Sequence, residues 1–254
     1  MARQEGLIKL TGQMGGVSFY KTAQDGFLAR TKGGIDGERI KTDAAFERTR
    51  ENGAEFGRAG IAGKLLRTAF RALTINTSDS RMASRLTAEM MKVLKADATN
   101  VRGERNVIDG EAELLRGFEF NENAKLNRTF FAPYIATLDR ATGAATVTIP
   151  AFIPANMIAA PQGATHMRLV AACASIDFQN EDYGTDSATS AEQSLSSVAP
   201  LPALSLEMSF GETDGRPLFL AFGVEFYQVV NGVMYTLKNG AYNALTLVAV
   251  DGGV

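Results

Sequence analysis

The segment that most resembles a catalytic motif is a glycine followed by a lysine, Gly63 and Lys64. A phosphate-binding P-loop has the pattern G-x-x-x-x-G-K-[ST], in which the glycines admit the phosphates and the hydroxyl holds magnesium. Here Arg58 stands five positions before Gly63, and Leu65 follows the lysine. The pattern fails at two positions, so we do not expect phosphate binding of this kind.

The chain has one histidine, His166, and one cysteine, Cys173, and both lie in the apolar run GATHMRLVAACASIDF. Nucleophilic catalysis needs a base beside an activated nucleophile, and no serine or cysteine elbow lies near His166. An apolar setting predicts a buried, structural thiol for Cys173. One cysteine also excludes an intramolecular disulfide, which is consistent with a reducing compartment.

Two groups of acidic residues are candidates for cation binding. They are Asp109, Glu111 and Glu113 in the polar segment 97–113, and Asp177, Asp182 and Asp186 at or near the loop predicted over 180–202. An EF-hand loop spaces its oxygen ligands over twelve residues, and the first group lacks the preceding ligands. We expect both groups to be solvated. We predict that the chain binds no metal, no cofactor and no small-molecule substrate, and that it is not an enzyme. Catalysis by a pair of acidic side chains is the alternative that the sequence leaves open.

The most strongly patterned stretch is Glu38–Leu73, which is predicted to be helical over about 42–75 with Thr42 or Asp43 as N-cap. The apolar residues Ile61, Leu65, Ala69 and Leu73 recur four positions apart, as in a helix, and Leu66 and Phe70 widen the stripe. A second stripe contains Gly53, Gly57, Gly60 and Gly63.

Each interior glycine costs about 1 kcal/mol of helix stability relative to alanine. The helix would therefore break near Gly57–Gly60, or its bare face would let another backbone approach closely. We favour one long kinked helix or two abutting helices against a partner element. The alternative is an ordinary core helix whose glycines are dispensable.

A second helix is predicted from about Asp79 to Ala96, capped by Ser78 or Asp79. Its apolar stripe consists of Met82, Leu86, Met90, Val93 and Leu94.

The first 37 residues predict a β-meander arm with strands at Leu7–Thr11, Val17–Thr22 and Phe27–Thr31. Three short strands cannot bury both faces alone. The arm is therefore expected to lie on the rest of the chain or on a neighbour.

From Gly117 the pattern changes to short strands separated by turn residues, of which Asn231-Gly232 is the strongest hairpin signal. Such a series favours an antiparallel sandwich. Strands are expected at 117–121, 129–139, 144–152, 165–178, 203–210, 217–230, 233–238 and 243–250. The predicted class is α+β, with a β arm (1–37), a helical segment of two or three helices (38–116) and an Ig-like β-sandwich (117–254).

Charge is unevenly distributed along the chain. Residues 1–116 contain 20 Lys and Arg against 15 Asp and Glu, whereas residues 117–254 contain 6 against 13. A basic front and an acidic back can attract copies of the chain head to tail.

Two runs, GGIDGERIKTDAAFERTRENGAEFGRAGIAGKLLRTA and EFYQVVNGVMYTLKNGAYNAL, resemble an uncharacterised family of bacterial proteins common in Bacteroidota genomes. The resemblance spans most of the chain and implies a shared fold. It implies no activity, because no function is assigned to the family.

The leading hypothesis is a non-catalytic structural protein that forms a homo-oligomer, filament, tube or ring, as a phage-like coat or tail component does. Its predicted interface comprises Leu7, Ile8, Phe19, Tyr20, Phe27, Leu28, Arg58, Arg67, Arg71, Asp182, Asp186 and Glu192. The alternative is a nucleic-acid-binding accessory protein that uses the basic helical segment, in which acidic residues dilute the positive charge.

No apolar run approaches the 18 residues of a membrane-spanning helix, and residues 1–10 lack the apolar core of a signal peptide. We expect a cytoplasmic protein, or one released as an assembled particle without a signal peptide of the usual kind.

Overall fold

The computed structural model describes residues 2–31, 33–211, 213–237 and 242–253. Contacts divide the chain into two compact units, Met1–Arg50 and Glu51–Val254. Helices occur together with sheets, and every strand pair among the described residues is antiparallel. The predicted α+β class is therefore confirmed.

The first unit contains a four-stranded sheet in the order β1-β4-β3-β2. Its strands are β1 (Ala2–Arg3), β2 (Gly12–Met14), β3 (Val17–Thr22) and β4 (Gly26–Thr31). The last two strands match the predicted ones closely, because a turn that ends at Gly26 (φ 75°) joins them. The predicted strand at 7–11 is wrong: the backbone there is irregular, and the paired strand is β2.

Five helical elements follow: α1 (Gly37–Thr42), a 3₁₀ turn (Ala44–Phe46), α2 (Glu47–Ala69), α3 (Arg71–Thr77) and α4 (Met82–Lys95). The Asp43 carboxylate accepts a hydrogen bond from the Ala45 N–H at 2.9 Å and caps the 3₁₀ turn. α2 runs without a break through Gly57–Gly60, and the interruption falls at Phe70 instead.

Within the described residues, only one of the four glycines of α2 lies against another element. A Cβ atom added at Gly63 would lie 3.6 Å from Leu86 of α4, in ordinary contact, whereas one added at Gly53, Gly57 or Gly60 would have no neighbour within 4 Å. The expected close approach of another backbone in this chain is therefore wrong, because α2 packs through its opposite side.

The apolar stripe predicted for α4 is confirmed, since Met82, Leu86, Met90, Val93 and Leu94 are all buried. The predicted cap at Ser78 or Asp79 is wrong, because the helix begins at Met82 with Arg81 as the N-cap residue and no side-chain cap. Three short helices were not predicted. They are a 3₁₀ turn (Ala112–Leu115), α5 (Leu126–Thr129) and α6 (Pro154–Met157).

Nine further strands build two antiparallel sheets. They are β5 (Ile135–Asp139), β6 (Ala144–Ile149), β7 (His166–Asp177), β8 (Asp182–Thr189), β9 (Gln193–Ser194), β10 (Leu204–Ser209), β11 (Leu218–Val230), β12 (Val233–Thr236) and β13 (Ala244–Asp251). In the larger sheet β11 pairs with β7, β12 and β13, and β7 pairs also with β8 and β9. The smaller sheet has the order β10-β6-β5.

The structure corrects the predicted strands in three places. The expected loop 180–202 contains β8 and β9. The expected strand 129–139 is a strand only at β5, and Phe130 forms an isolated bridge with Ile158. Residues 117–120 form a short pairing with β13 through Gly117, Phe118 and Phe120. The predicted strand 233–238 ends at Thr236. The sequence Asn239-Gly240 also predicts a turn, and both that turn and position 238 lie outside the described residues.

Two hydrophobic clusters lie on opposite faces of the larger sheet. Val170, Ala172 and Ala174 of β7 belong to the cluster that contains the buried side chains of α2–α4. Leu169 and Ala171 belong to the cluster that contains the inner face of β6 and β10. Because both faces are covered, β7 and β11 are apolar at nearly every position.

Candidate functional site

The N-terminal segment 2–31 exposes several apolar side chains, most of them in the irregular backbone between β1 and β2. Leu7 and Ile8 are 105% and 81% exposed, and Leu10 and Met14 are also exposed. Leu28 is the only buried residue among described residues 2–31 and 33–50. This sheet therefore has almost no core of its own.

The aromatic residues predicted for the interface are half-buried. The Lys21 ammonium lies 5.3 Å from the centre of the Phe27 ring, and the Arg30 guanidinium lies 5.4 Å from that of Tyr20. Phe19 is half-buried on β3. Leu28 differs from Phe19, Tyr20 and Phe27 because its side chain is buried, with 8% of it exposed.

Arg58 and the pair Arg67 and Arg71 have different roles on α2 and α3. The Arg58 Nη1 atom donates to the carbonyl oxygens of Gly103 and Arg105 at 2.7 and 2.9 Å, so this side chain holds the loop after α4. Arg67 and Arg71 instead line an open groove of 340 Å³ together with Lys64 and Ile75.

The outer face of α2 and α3, which we define by Phe56, Ile61, Lys64, Arg67, Arg71 and Ile75, combines cations with exposed apolar groups. Phe56 and Ile75 are 62% and 64% exposed. Within the part of the chain that the structure describes, none of the three cations has an ion-pair partner. This face is therefore basic and partly apolar.

The acidic residues predicted for the interface lie on and after β8. Asp182 pairs with Arg216 at 3.1 Å, and Asp186 accepts from the Ser209 N–H at 3.0 Å. Glu192 lies 3.8 Å from Arg168. Between Arg168 and Arg216 the sequence contains eight acidic residues and no Lys or Arg, so this region has a strongly negative net charge.

The candidate catalytic residues do not converge. Burial raises the pKa of the Cys173 thiol to about 11. The His166 Nδ1 atom lies 3.0 Å from the Thr165 hydroxyl, its own chain neighbour. Among the described residues, no group of three or more His, Cys, Asp or Glu side chains is placed to hold a metal ion.

The two acidic groups make local hydrogen bonds. Asp109 accepts from the side chains of Asn100 and Asn106 at 2.8 and 2.7 Å. Glu113 accepts from the Gly252 N–H at 2.7 Å, and Asp177 from the Asn180 side chain at 2.8 Å. These contacts give the carboxylates structural partners.

Sequence reasoning missed one polar cleft. It has a volume of 380 Å³ and is bordered by Arg85, Leu114, Arg116, Glu119, Glu122 and Lys125. These residues come from α4 and from an irregular segment, so no periodic pattern relates them. The clustering of unlike charges over 113–125 is the one sequence signal that could have indicated it.

Among the described residues, every helix is too short or too polar to cross a lipid bilayer. No protein-family model, curated protein or solved structure matches the chain.

Proposed function

We propose that the protein is a non-catalytic structural protein that assembles head to tail through its N-terminal arm and its oppositely charged faces. The observation that carries this proposal is the N-terminal segment 2–31, in which Leu28 alone is buried while Leu7, Ile8 and Leu10, between β1 and β2, and Met14 of β2 are exposed.

A sheet without a core gains stability when another surface covers it. Burying a leucine or isoleucine side chain contributes about 1.5–3 kcal/mol. The outer strands β1 and β2 each pair with a single strand among the described residues, which leaves backbone groups for a further strand. A neighbouring copy would thus be held by strand addition or by face packing.

The distribution of charge favours contact between unlike surfaces of neighbouring copies. The basic outer face belongs to α2 and α3, and the acidic region between Arg168 and Arg216 belongs to β8 and the segments around it. Contacts between unlike surfaces are heterologous, and they close into rings or continue as filaments and tubes. A phage-like coat or tail component is a special case.

The apolar part is tested by replacing Leu7 and Ile8 with serine and measuring the molar mass by size-exclusion chromatography with light scattering. We expect the oligomer of the unaltered chain to dissociate. The matched control is Val198→Ser, which removes a side chain that is 80% exposed and lies outside the arm. Deletion of residues 1–33 should act as the double substitution does.

The electrostatic part is tested by reversing the charges of Arg67 and Arg71 to glutamate. We expect association to weaken in about 0.05 M salt, and the difference from the unaltered chain to shrink in about 0.5 M salt because ions screen exposed charges. The control is Arg128→Glu, an exposed cation outside the groove. A monomeric unaltered chain at both salt concentrations would contradict the proposed assembly.

A second candidate, nucleic-acid binding, is favoured by the groove that Lys64, Arg67 and Arg71 line without ion-pair partners among the described residues. Phosphate contacts of this kind bind all sequences and weaken with salt. A gel-shift assay that detects a complex of monomeric protein with DNA or RNA, lost in R67E/R71E, would favour this candidate over assembly.

The finer fold assignment, an Ig-like sandwich in residues 117–254, is part of the same proposal. It is supported by the hydrophobic cluster that the two C-terminal sheets share. An experimental structure would test it through the order of the strands in both sheets.

A further inference from the structure

We propose that the cleft bordered by Arg85, Arg116, Glu119 and Lys125 binds a small hydroxylated organic anion. Its volume of 380 Å³ is in the range of small-molecule sites, and six of its ten lining residues are charged, three of them cations and three of them the acids Glu89, Glu119 and Glu122. The proposal does not depend on self-assembly, because no residue of the predicted interface lines the cleft.

Arg85 lines the cleft, and its two terminal nitrogens already have hydrogen-bond partners. Its Nη1 atom donates to the Glu119 carbonyl oxygen at 2.7 Å, and Nη2 donates to the Asp79 carboxylate. The guanidinium also lies 5.3 Å from the centre of the Phe118 ring. Arg85 is therefore a fixed positive charge that shapes the cleft.

Arg116 and Lys125 are the cations that remain for a ligand. In the described part of the chain neither side chain has an ion pair or a hydrogen bond. Arg116 is exposed and Lys125 is half-buried, so both can reach a ligand without leaving a buried charge behind. Two unpaired cations on one cleft favour a carboxylate or a phosphate group.

Glu119 supplies the complementary polar group. One of its oxygens, Oε2, accepts a hydrogen bond from the Thr246 hydroxyl and a longer one, 3.4 Å, from the Leu126 N–H. These contacts fix the orientation of the carboxylate and leave Oε1 to accept from a ligand. Burial raises the pKa of Glu119, while the hydrogen bonds and the nearby Lys125 and Arg85 oppose that shift.

These groups define the ligand by its chemistry. Its anionic group would lie between Arg116 and Lys125, and a hydroxyl would donate to Glu119 Oε1. A simple inorganic anion would use only the cations and would leave most of the 380 Å³ unfilled. A hydroxy acid or a phosphorylated polyol fits both the charge and the volume.

The test is isothermal titration of the full-length protein, in buffer of low ionic strength, with D-gluconate, with glycerol 3-phosphate and with inorganic phosphate. We expect one of the two hydroxylated anions to bind at one site per chain, at least about tenfold more tightly than inorganic phosphate. The two hydroxylated probes distinguish a carboxylate from a phosphate ligand.

Three variants assign the site. R116Q/K125Q should weaken binding at least about tenfold, since it removes both charge-assisted contacts. E119A, which removes the acceptor, should abolish the preference for the hydroxylated probe over inorganic phosphate. R128Q, an exposed cation of the same segment outside the cleft, should bind within about twofold of the unaltered chain.

Two results would overturn the inference. The first is the absence of heat with both hydroxylated probes at millimolar concentration. The second is equal weakening in R128Q and R116Q/K125Q, which would mean attraction to the surface as a whole. Circular dichroism of each variant establishes that lost binding does not reflect lost folding.

Discussion

The Arg168 guanidinium on β7 lies 2.6 Å from the Glu225 carboxylate on β11, and the Glu225 side chain is only 2% exposed. The same carboxylate accepts from the Tyr227 hydroxyl at 2.8 Å and from the Asn76 side chain at 3.0 Å. Because Asn76 belongs to α3, this buried acid connects the helical layer to the larger sheet.

Removing the cation of this pair should be costly. A buried carboxylate without its partner loses the interaction that offsets its desolvation, so we expect Arg168→Leu to lower the free energy of unfolding by about 3 kcal/mol. Urea denaturation followed by circular dichroism measures the change. Glu192→Gln is the control, because that carboxylate is 3.8 Å from Arg168 and well exposed, and its loss should cost less than about 1 kcal/mol.

Gly223 is required by the close packing of β11 against β13. A Cβ atom at this position would lie 2.1 Å from the Ala244 carbonyl oxygen and 3.0 Å from the Leu245 Cα atom. Two backbone atoms cannot move aside as a side chain can, so we expect Gly223→Ala to lower the free energy of unfolding by about 3 kcal/mol or more. Gly211→Ala, where nothing lies within 4 Å, is the matched substitution and should change it by less than about 0.5 kcal/mol in the same urea titration.

Asp97 should make stability depend on pH in the acid range. Burial raises its pKa, but hydrogen bonds from the backbone and side chain of Asn100 and from the N–H groups of Asn106 and Thr99 outweigh burial and lower it to about 2. The unfolded carboxyl has a pKa of about 3.9. Since the folded pKa is the lower one, the stabilisation is complete above about pH 4 and is lost as the pH falls toward 2.

We therefore expect the free energy of unfolding of the unaltered chain to fall between about pH 4 and pH 2, and that of Asp97→Asn to fall less. Urea midpoints at a series of pH values measure both curves. Parallel curves would mean that the hydrogen bonds to Asp97 do not favour its charged form.

Cys173 should be unreactive in the folded protein. Its pKa of about 11 means that at pH 8 roughly one thiol in a thousand is ionised, and the side chain is fully buried. We expect almost no reaction with a disulfide reagent under native conditions and one equivalent in guanidinium chloride. Rapid native reaction of a full equivalent would contradict the buried position on β7.

Local signals explain which elements could be predicted from the sequence. The stripe of α4 is visible because five apolar residues repeat at helical spacing, and all five are buried. The β11–β12 hairpin is visible because Asn231 and Gly232 adopt the positive φ values, 51° and 78°, that such a turn requires. In both cases the residues that predict the element lie close together in the sequence.

Elements that depend on distant partners were not predictable in this way. β8, with the sequence DYGTDSAT, consists largely of small and polar residues, and its extended conformation depends on pairing with β7. The cleft is a similar case, since Arg85 lies on α4 whereas Arg116 and Lys125 lie in irregular backbone. Single residues at irregular spacing carry no periodic signal.

The solvent-facing glycines of α2 give a prediction in which stability and association change in opposite directions. Gly57 and Gly60 have helical backbone and no atom within 4 Å of an added Cβ. Alanine at both positions should therefore raise the free energy of unfolding of the monomer by about 1–2 kcal/mol in total. The same methyl groups would hold a neighbouring chain further from α2 and weaken self-association if this face is a contact.

Urea denaturation at low protein concentration measures the first effect, and sedimentation equilibrium measures the second. Gly63→Ala is the control, because its Cβ would make ordinary contacts with α4 inside the chain and should leave association unchanged. A more stable G57A/G60A variant that still associates as tightly as the unaltered chain would exclude this part of α2 from the interface. Since glycine lowers helix stability and these two positions gain no packing in return within the chain, a contact with another molecule is the physical reason we expect for their presence.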